Sequence, residues 1–343
     1  MELLLYGSPV LTYYKNNIKL HAVFIEREKQ FCLCPENPQS RCFRGLGLLL
    51  VFFLGALLLA AMITPLAYQS MEFWHKNWPL PLTEYLGHKG LDKYFNRILT
   101  VVFVLGLPVF IKVMQVGSWR NLMGAVTPTQ ALKQMLWALV GGVLLLSILV
   151  GLQYSCSYRI WIGLPPLAKI LGMLGAALLI GFLEEILFRG LIFRAFYSAF
   201  RPWVGLLLTS LFFAYVHFKV PGTAIPSDVT LISGLSLAYL TLTGIAQEFQ
   251  LLPFLNLFSL ALLLNILYLK YKSLYYAIGL HAGLVWILMF SKKAFQYVPG
   301  NLTWLIGNDR IITGLVPLAL QWILILWVIF RKQNVAENIQ TPR

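Results

Sequence analysis

The chain has 343 residues, of which 59% are hydrophobic and only 12% charged, and its formal net charge is +14. A soluble domain carries roughly 25% charged residues, so half that share combined with long apolar runs excludes an ordinary globular protein and points to an all-α, polytopic membrane helix bundle. The positive charge is not that of a nucleic-acid binder, because Lys and Arg flank the apolar runs as membrane-bordering charge does, and no stripe interleaves them with aromatic residues.

In chain order, residues 1–44 form a polar tail with no apolar segment ahead of a small-residue cleavage site, so no cleavable leader is expected. Six basic residues of this tail (Lys15, Lys19, Arg27, Lys29, Arg41 and Arg44) place the N-terminus in the cytoplasm. Cys32, Cys34 and Cys42, with His21 nearby, lack the spacing of a zinc site and read as reduced thiols. Residues 45–332 form the bundle, and 333–343 a second tail.

A helix needs about 20 apolar residues to cross the hydrocarbon core. Spans are predicted at Leu46 to Leu66, Ile98 to Met114, Ala131 to Leu152, Leu167 to Tyr197, Trp203 to Phe218, Leu255 to Leu269, Tyr275 to Phe290 and Ile312 to Phe330. That is about eight transmembrane helices, with both termini cytoplasmic. The stretch 229–246, rich in Gly, Ser and Thr, is a ninth span, a re-entrant piece or an interfacial helix. Eight spans put Arg120, Arg194, Arg201, Lys270, Lys272, Arg331 and Lys332 inside and the loop acids Glu72, Glu84, Asp92, Asp228, Glu248 and Asp309 outside. A ninth would export Lys270 and Lys272 against the positive-inside bias. The setting is an integral membrane protein of the cell membrane.

The apolar run from Leu167 is interrupted by "GFLEEILFRG". A carboxylate at mid-bilayer costs roughly 2.5–3.5 kcal/mol, so an intramembrane ionisable group is a functional hypothesis by default. Glu185 and Arg189 are four apart on one helix face and can pair, which leaves Glu184, about 100° away, free to address something else. Glu184 lies 16 residues before Phe200 and His217 lies 15 after Pro202, so both sit about 23–24 Å from that hairpin and can meet across antiparallel helices. Phe213, one turn before His217, reads as a packing residue that shapes the pocket. His281 lies in a later span.

Glu184-Glu185-x-x-x-Arg189, then Phe213-x-x-x-His217, then a span histidine resemble the ordered motifs of the CPBP family. These are intramembrane endopeptidases that include CAAX prenyl proteases and bacteriocin-processing enzymes. The resemblance covers Leu167 to Phe290 and implies a peptide or protein substrate within the bilayer. It departs from the family at Val285, where His-x-x-x-Asn or Asp is usual; Asn265 is a candidate replacement.

Peptide hydrolysis needs an activated water and a stabilised oxyanion. An unpaired Glu184 suits a general base, His217 can orient the same water, and His281 can donate to the oxyanion. Alternatively Glu184, His217 and His281 bind a divalent metal such as zinc that activates the water; the resemblance implies either mechanism. There is no H-E-x-x-H and no aspartate in a span, which excludes two other intramembrane protease designs, and Gly234-x-Ser236 offers a rhomboid-like pairing of Ser236 with His281. A proton-coupled transporter using the same groups as a relay is the rival class. Measured from the Phe200–Pro202 hairpin, the site is expected in the outer half of the membrane, which disfavours prenylated cytoplasmic tails.

Overall fold

A computed structural model describes residues 43–78, 84, 89–200, 202–217, 229–243 and 249–331. The tail cysteines Cys32, Cys34 and Cys42, and the C-terminal tail, lie outside these. The described elements are helices α1 (Arg44–Asn77), α2 (Leu91–Val113), α3 (Trp119–Met123) and α4 (Pro128–Ser155), strand β1 (Arg159–Trp161), and α5 (Leu167–Glu185). A π-helical segment (Ile186–Ile192) follows, then α6 (Phe193–Ala199), α7 (Pro202–Val216), α8 (Leu231–Thr243), α9 (Leu251–Tyr271), α10 (Tyr275–Ala294), β2 (Phe295–Tyr297), α11 (Thr303–Ile306) and α12 (Leu315–Phe330).

An all-α membrane bundle is therefore the fold, with one small exception. β1 and β2 pair antiparallel, Arg159 opposite Tyr297 and Trp161 opposite Phe295, and cap one end of α4 and α10. Five apolar helical stretches are long enough to cross a membrane by length and composition among the described residues: Arg44–Asn77, Leu91–Val113, Trp119–Ser155, Leu167–Ala199 and Leu251–Tyr271. Five of the eight expected spans thus qualify by length and composition. Helices α7 and α12, with 15 and 16 residues, reach only about 22–24 Å against a hydrocarbon core of roughly 30 Å. Helix α8 has 13 described residues, or about 20 Å, and residues 244–246 of the predicted stretch lie outside the described ones.

The longest helix corrects a boundary. Pro65 does not end α1, which runs on to Asn77. Proline removes the amide that would reach the carbonyl four residues back, here Ala61. Helix α8 closes on that oxygen: a Cβ on Gly234 would stand 2.0 Å from it, so only glycine permits the approach. Thr64 Oγ1 adds a 2.6 Å bond to Ala60 O.

Close helix contact elsewhere also rests on glycine. In α4, a Cβ on Gly142 would lie 2.4 Å from Leu280 O, and in α10 those on Gly279 and Gly283 would lie 2.1 Å from Met135 O and 2.3 Å from Leu139 O. Backbones can touch there because lipid offers no hydrophobic drive and small residues let packing supply it. Helix α4 begins with a reciprocal capping box, Thr127 with Gln130, and Pro128 in its first turn. The buried core is centred on the π segment, Phe110, Leu122, Phe213, Ala261 and Tyr268.

Candidate active site

Three helical units converge on one buried cluster. The α6–α7 hairpin folds tightly because Gly205 faces the Tyr197 backbone, where a Cβ would come within 2.9 Å. That brings the residue just past α7, His217, to the level of Glu184 at the end of α5, and the two meet at 3.5 Å (Nε2 to Oε2). Gly181, one turn before Glu185, lets α5 approach Ile278 and Ala282 of α10, and His281 arrives from there.

The two glutamates have separate partners. Glu185 is fully buried; its Oε1 accepts from Arg189 NH1 at 2.9 Å and from His281 Nδ1 at 2.8 Å. Arg189, also fully buried, donates in addition to Ala261 O on α9 at 3.3 Å. Glu184 has no guanidinium partner among the described residues. It is about one-third exposed, and its Oε2 stands 3.5 Å from His217 Nε2 and 3.8 Å from His281 Nε2. Three buried polar atoms of this cluster, Glu184 Oε2, Glu185 Oε2 and Arg189 Nε, lack a hydrogen-bond partner among the described residues.

The imidazoles are oriented from behind. His217 Nδ1 donates to Phe213 O at 2.8 Å, since a carbonyl can only accept, so its Nε2 is the nitrogen turned to Glu184. His281 Nδ1 faces the Glu185 carboxylate, and again Nε2 is left for Glu184. Phe213 does more than fill space: its ring stacks on His217 with centroids 4.1 Å apart, lies 4.9 Å from the Arg189 guanidinium carbon and stands edge-on to His281 at 6.3 Å. The chain between Glu185 and Phe193 is π-helical rather than the α-helix its spacing suggests, a local rewinding frequent at functional sites.

All five residues singled out in the sequence, Glu184, Glu185, Arg189, His217 and His281, are thus in one cluster. Two others are placed elsewhere. Asn265 donates to Ser210 Oγ at 3.0 Å, two turns before His217 on α7. Ser236 is exposed on α8, while both ring nitrogens of His281 face glutamates. The Ala261 carbonyl was invisible in the sequence because any residue type supplies one.

Zinc takes the donor types present here. Among the described residues, however, no three His, Cys, Asp or Glu side chains are arranged to hold a metal ion.

The depth of the cluster corrects the expectation from the hairpin. Leu274 N bonds Met123 O at 2.9 Å, and Arg194 donates to Asn121 O, so these residues share a level beside Arg120 and Lys272. His281 is seven residues from Leu274 and Glu184 ten from Arg194, or about 10–15 Å. Toward the other end, Ala294 is 13 residues from His281 and Leu167 is 17 from Glu184, about 20–26 Å. The site therefore lies in the half nearer Arg120 and Lys272. The count from the hairpin differs because Phe200 lies six residues past Arg194, about 9 Å farther along the helix.

No curated protein and no solved structure matches the chain. Residues 166–287 match the family model described as Type II CAAX prenyl endopeptidase Rce1-like. That segment holds all five clustered residues and agrees with the CPBP resemblance.

Proposed function

We propose that the protein is an intramembrane endopeptidase in which Glu184 activates water for attack on a peptide bond of a membrane-associated substrate. The observation that supports this most is the convergence of two imidazole Nε2 atoms on the one glutamate of the cluster that no arginine neutralises. A carboxylate beside two oriented imidazoles binds water by accepting its protons. Glu184 takes one proton as the hydroxide oxygen bonds to the carbonyl carbon. His217, held through its Nδ1 by Phe213 O, orients that water.

His281 serves the oxyanion. With Nδ1–H committed to Glu185, donation from Nε2 requires the imidazolium. That charge state balances the buried cluster: two carboxylates against one guanidinium and one imidazolium. When the C–N bond breaks, Glu184 passes its proton to the leaving amine, giving a carboxylic acid and an amine from water and amide.

The depth of the site suits substrates approaching from the Arg120–Lys272 side. On the positive-inside reading that side is cytoplasmic, so prenylated C-terminal tails return as fitting substrates. The test uses purified protein in liposomes with a prenylated, membrane-tethered peptide, wild type and Glu184→Ala in parallel, with and without chelator. Chelator-insensitive cleavage lost in Glu184→Ala is expected. Abolition by chelator would overturn the glutamate-only mechanism. Proton-driven solute flux without cleavage would establish the transporter reading instead.

A further inference from the structure

One cavity among the described residues lies away from the glutamate–histidine cluster. It measures about 450 Å³ and opens between α4 and α10 beneath the β1–β2 pair, within the size range of small-molecule sites. Its walls are Val150, Gly151 and Ile287, with the serine pair Ser147 and Ser291, and Tyr154, Phe290, Trp161 and Phe295 close its upper end. On α4 the lining positions 147, 150, 151 and 154 repeat as one helix face, and 287, 290 and 291 do the same on α10.

It adjoins a glycine crossing. Gly142, Gly279 and Gly283 let the two backbones touch, and the lining residues lie beyond that contact. The wedge runs from Ser147 to Tyr154, seven residues, or about 10 Å. Aromatic edges seal its top: Phe295 packs T-shaped on Trp161 at 5.0 Å and on Tyr154 at 5.9 Å. Gly151 adds no side chain to the wall, and a Cβ there would meet nothing within 4 Å.

Two lysines follow the lining residues along α10. Lys292 and Lys293 occupy the last turn of α10, directly above Phe290 and Ser291. Lys292 pairs with Asp309 at 3.3 Å. Lys293 is exposed and has no ion-pair partner among the described residues. An apolar slot of this depth, in a helix pair within the bilayer and topped by interfacial aromatics and a free cation, matches one class of ligand in both its parts.

We propose that the wedge holds an acyl chain of an anionic phospholipid whose phosphate is met by Lys293. The four aromatic residues then mark the hydrocarbon boundary, and the lysine lies at headgroup level, where a basic residue favours anionic lipid. The lipid fills the space between α4 and α10 beyond the glycine crossing. Because α10 also carries His281, the same lipid braces the helix that brings that histidine to Glu185.

The test uses the full-length protein in bilayer nanodiscs with phospholipids carrying a photoreactive acyl chain, one with a glycerol headgroup and net negative charge, the other zwitterionic. Labelled peptides are mapped in wild type, Gly151→Leu and Lys293→Gln. Labelling by the anionic lipid concentrated in 147–154 and 287–295 is expected. Gly151→Leu, which fills the slot, should lower it at least about tenfold. Lys293→Gln should lower it about fivefold, the effect of one headgroup-level lysine, without changing zwitterionic labelling. Lys293 is exposed, so its variant reports even if Gly151→Leu fails to fold. Labelling spread evenly over the lipid-facing helices, equal labelling by the two lipids, or displacement by a substrate peptide would each overturn the proposal.

Discussion

Replacing Arg189 with Met tests whether the Glu185–Arg189 pair serves structure first and chemistry second. Arg189 makes a 2.9 Å ion pair, a 3.3 Å bond to Ala261 O and a ring contact at 4.9 Å from Phe213, all with no exposure. Neutral hydrogen bonds between membrane helices average only about 0.6 kcal/mol, but the substitution leaves Glu185 as an uncompensated buried charge. The relevant scale is the roughly 3–5 kcal/mol of breaking a buried pair. Arg189→Met is therefore expected to unfold earlier by about that much in a denaturant titration in detergent. The double variant Glu185→Gln with Arg189→Met removes both charges and should recover roughly half of the loss or more. It should not recover peptide cleavage, since a neutral amide in place of the Glu185 carboxylate cannot balance a charged His281. An Arg189→Met protein as stable as wild type, or a double variant less stable than the single one, would refute the reasoning.

Three other outcomes follow from the geometry. Phe213→Leu removes the ring stacked on His217, so the rate of cleavage should fall about tenfold with KM nearly unchanged, and Phe213→Tyr should retain most of it; equal activity in Phe213→Leu would mean that the ring does not position the imidazole. Gly279→Val drives side-chain atoms into Met135 O, 2.1 Å from the Cβ position, and should lower the thermal midpoint sharply, whereas Gly151→Ala, in open space, should not. Single cysteines at Arg120 and Lys272 should react with an impermeant reagent from one side of the membrane, and those at Lys293 and Arg310 from the other.

Much of the site was legible because helical rise converts sequence distance into depth. The matched counts from Phe200 and Pro202 anticipated that Glu184 and His217 meet, and four-residue spacing anticipated the Glu185–Arg189 pair. The partner of His281 was not legible, since nothing in sequence orients an imidazole between adjacent carboxylates; the Gly181 contact with α10 does that. The π segment left no sign, because Ile186–Ile192 contains no proline and its Gly190 answers to Leu122 of α3, 2.7 Å from a Cβ there. β1 and β2 escaped notice because three-residue strands 136 positions apart carry no period to read. Buried Arg159 belongs to the same end: it donates to Gln153 at 2.6 Å, and Gln153 in turn donates to the carbonyls of Ile306, Gly307 and Asn308. The hairpin count overstated the depth of the site because a hairpin tip is not a membrane boundary.

The central claim is that a proton leaves water for Glu184 in the step that cleaves the peptide. Single-turnover cleavage by Glu184→Gln, which keeps the shape and loses the basicity, measures this directly. The rate should drop by about 10²–10⁴ with binding preserved, the range a positioned general base contributes. A rate within a few-fold of wild type, in protein that folds normally, would contradict it.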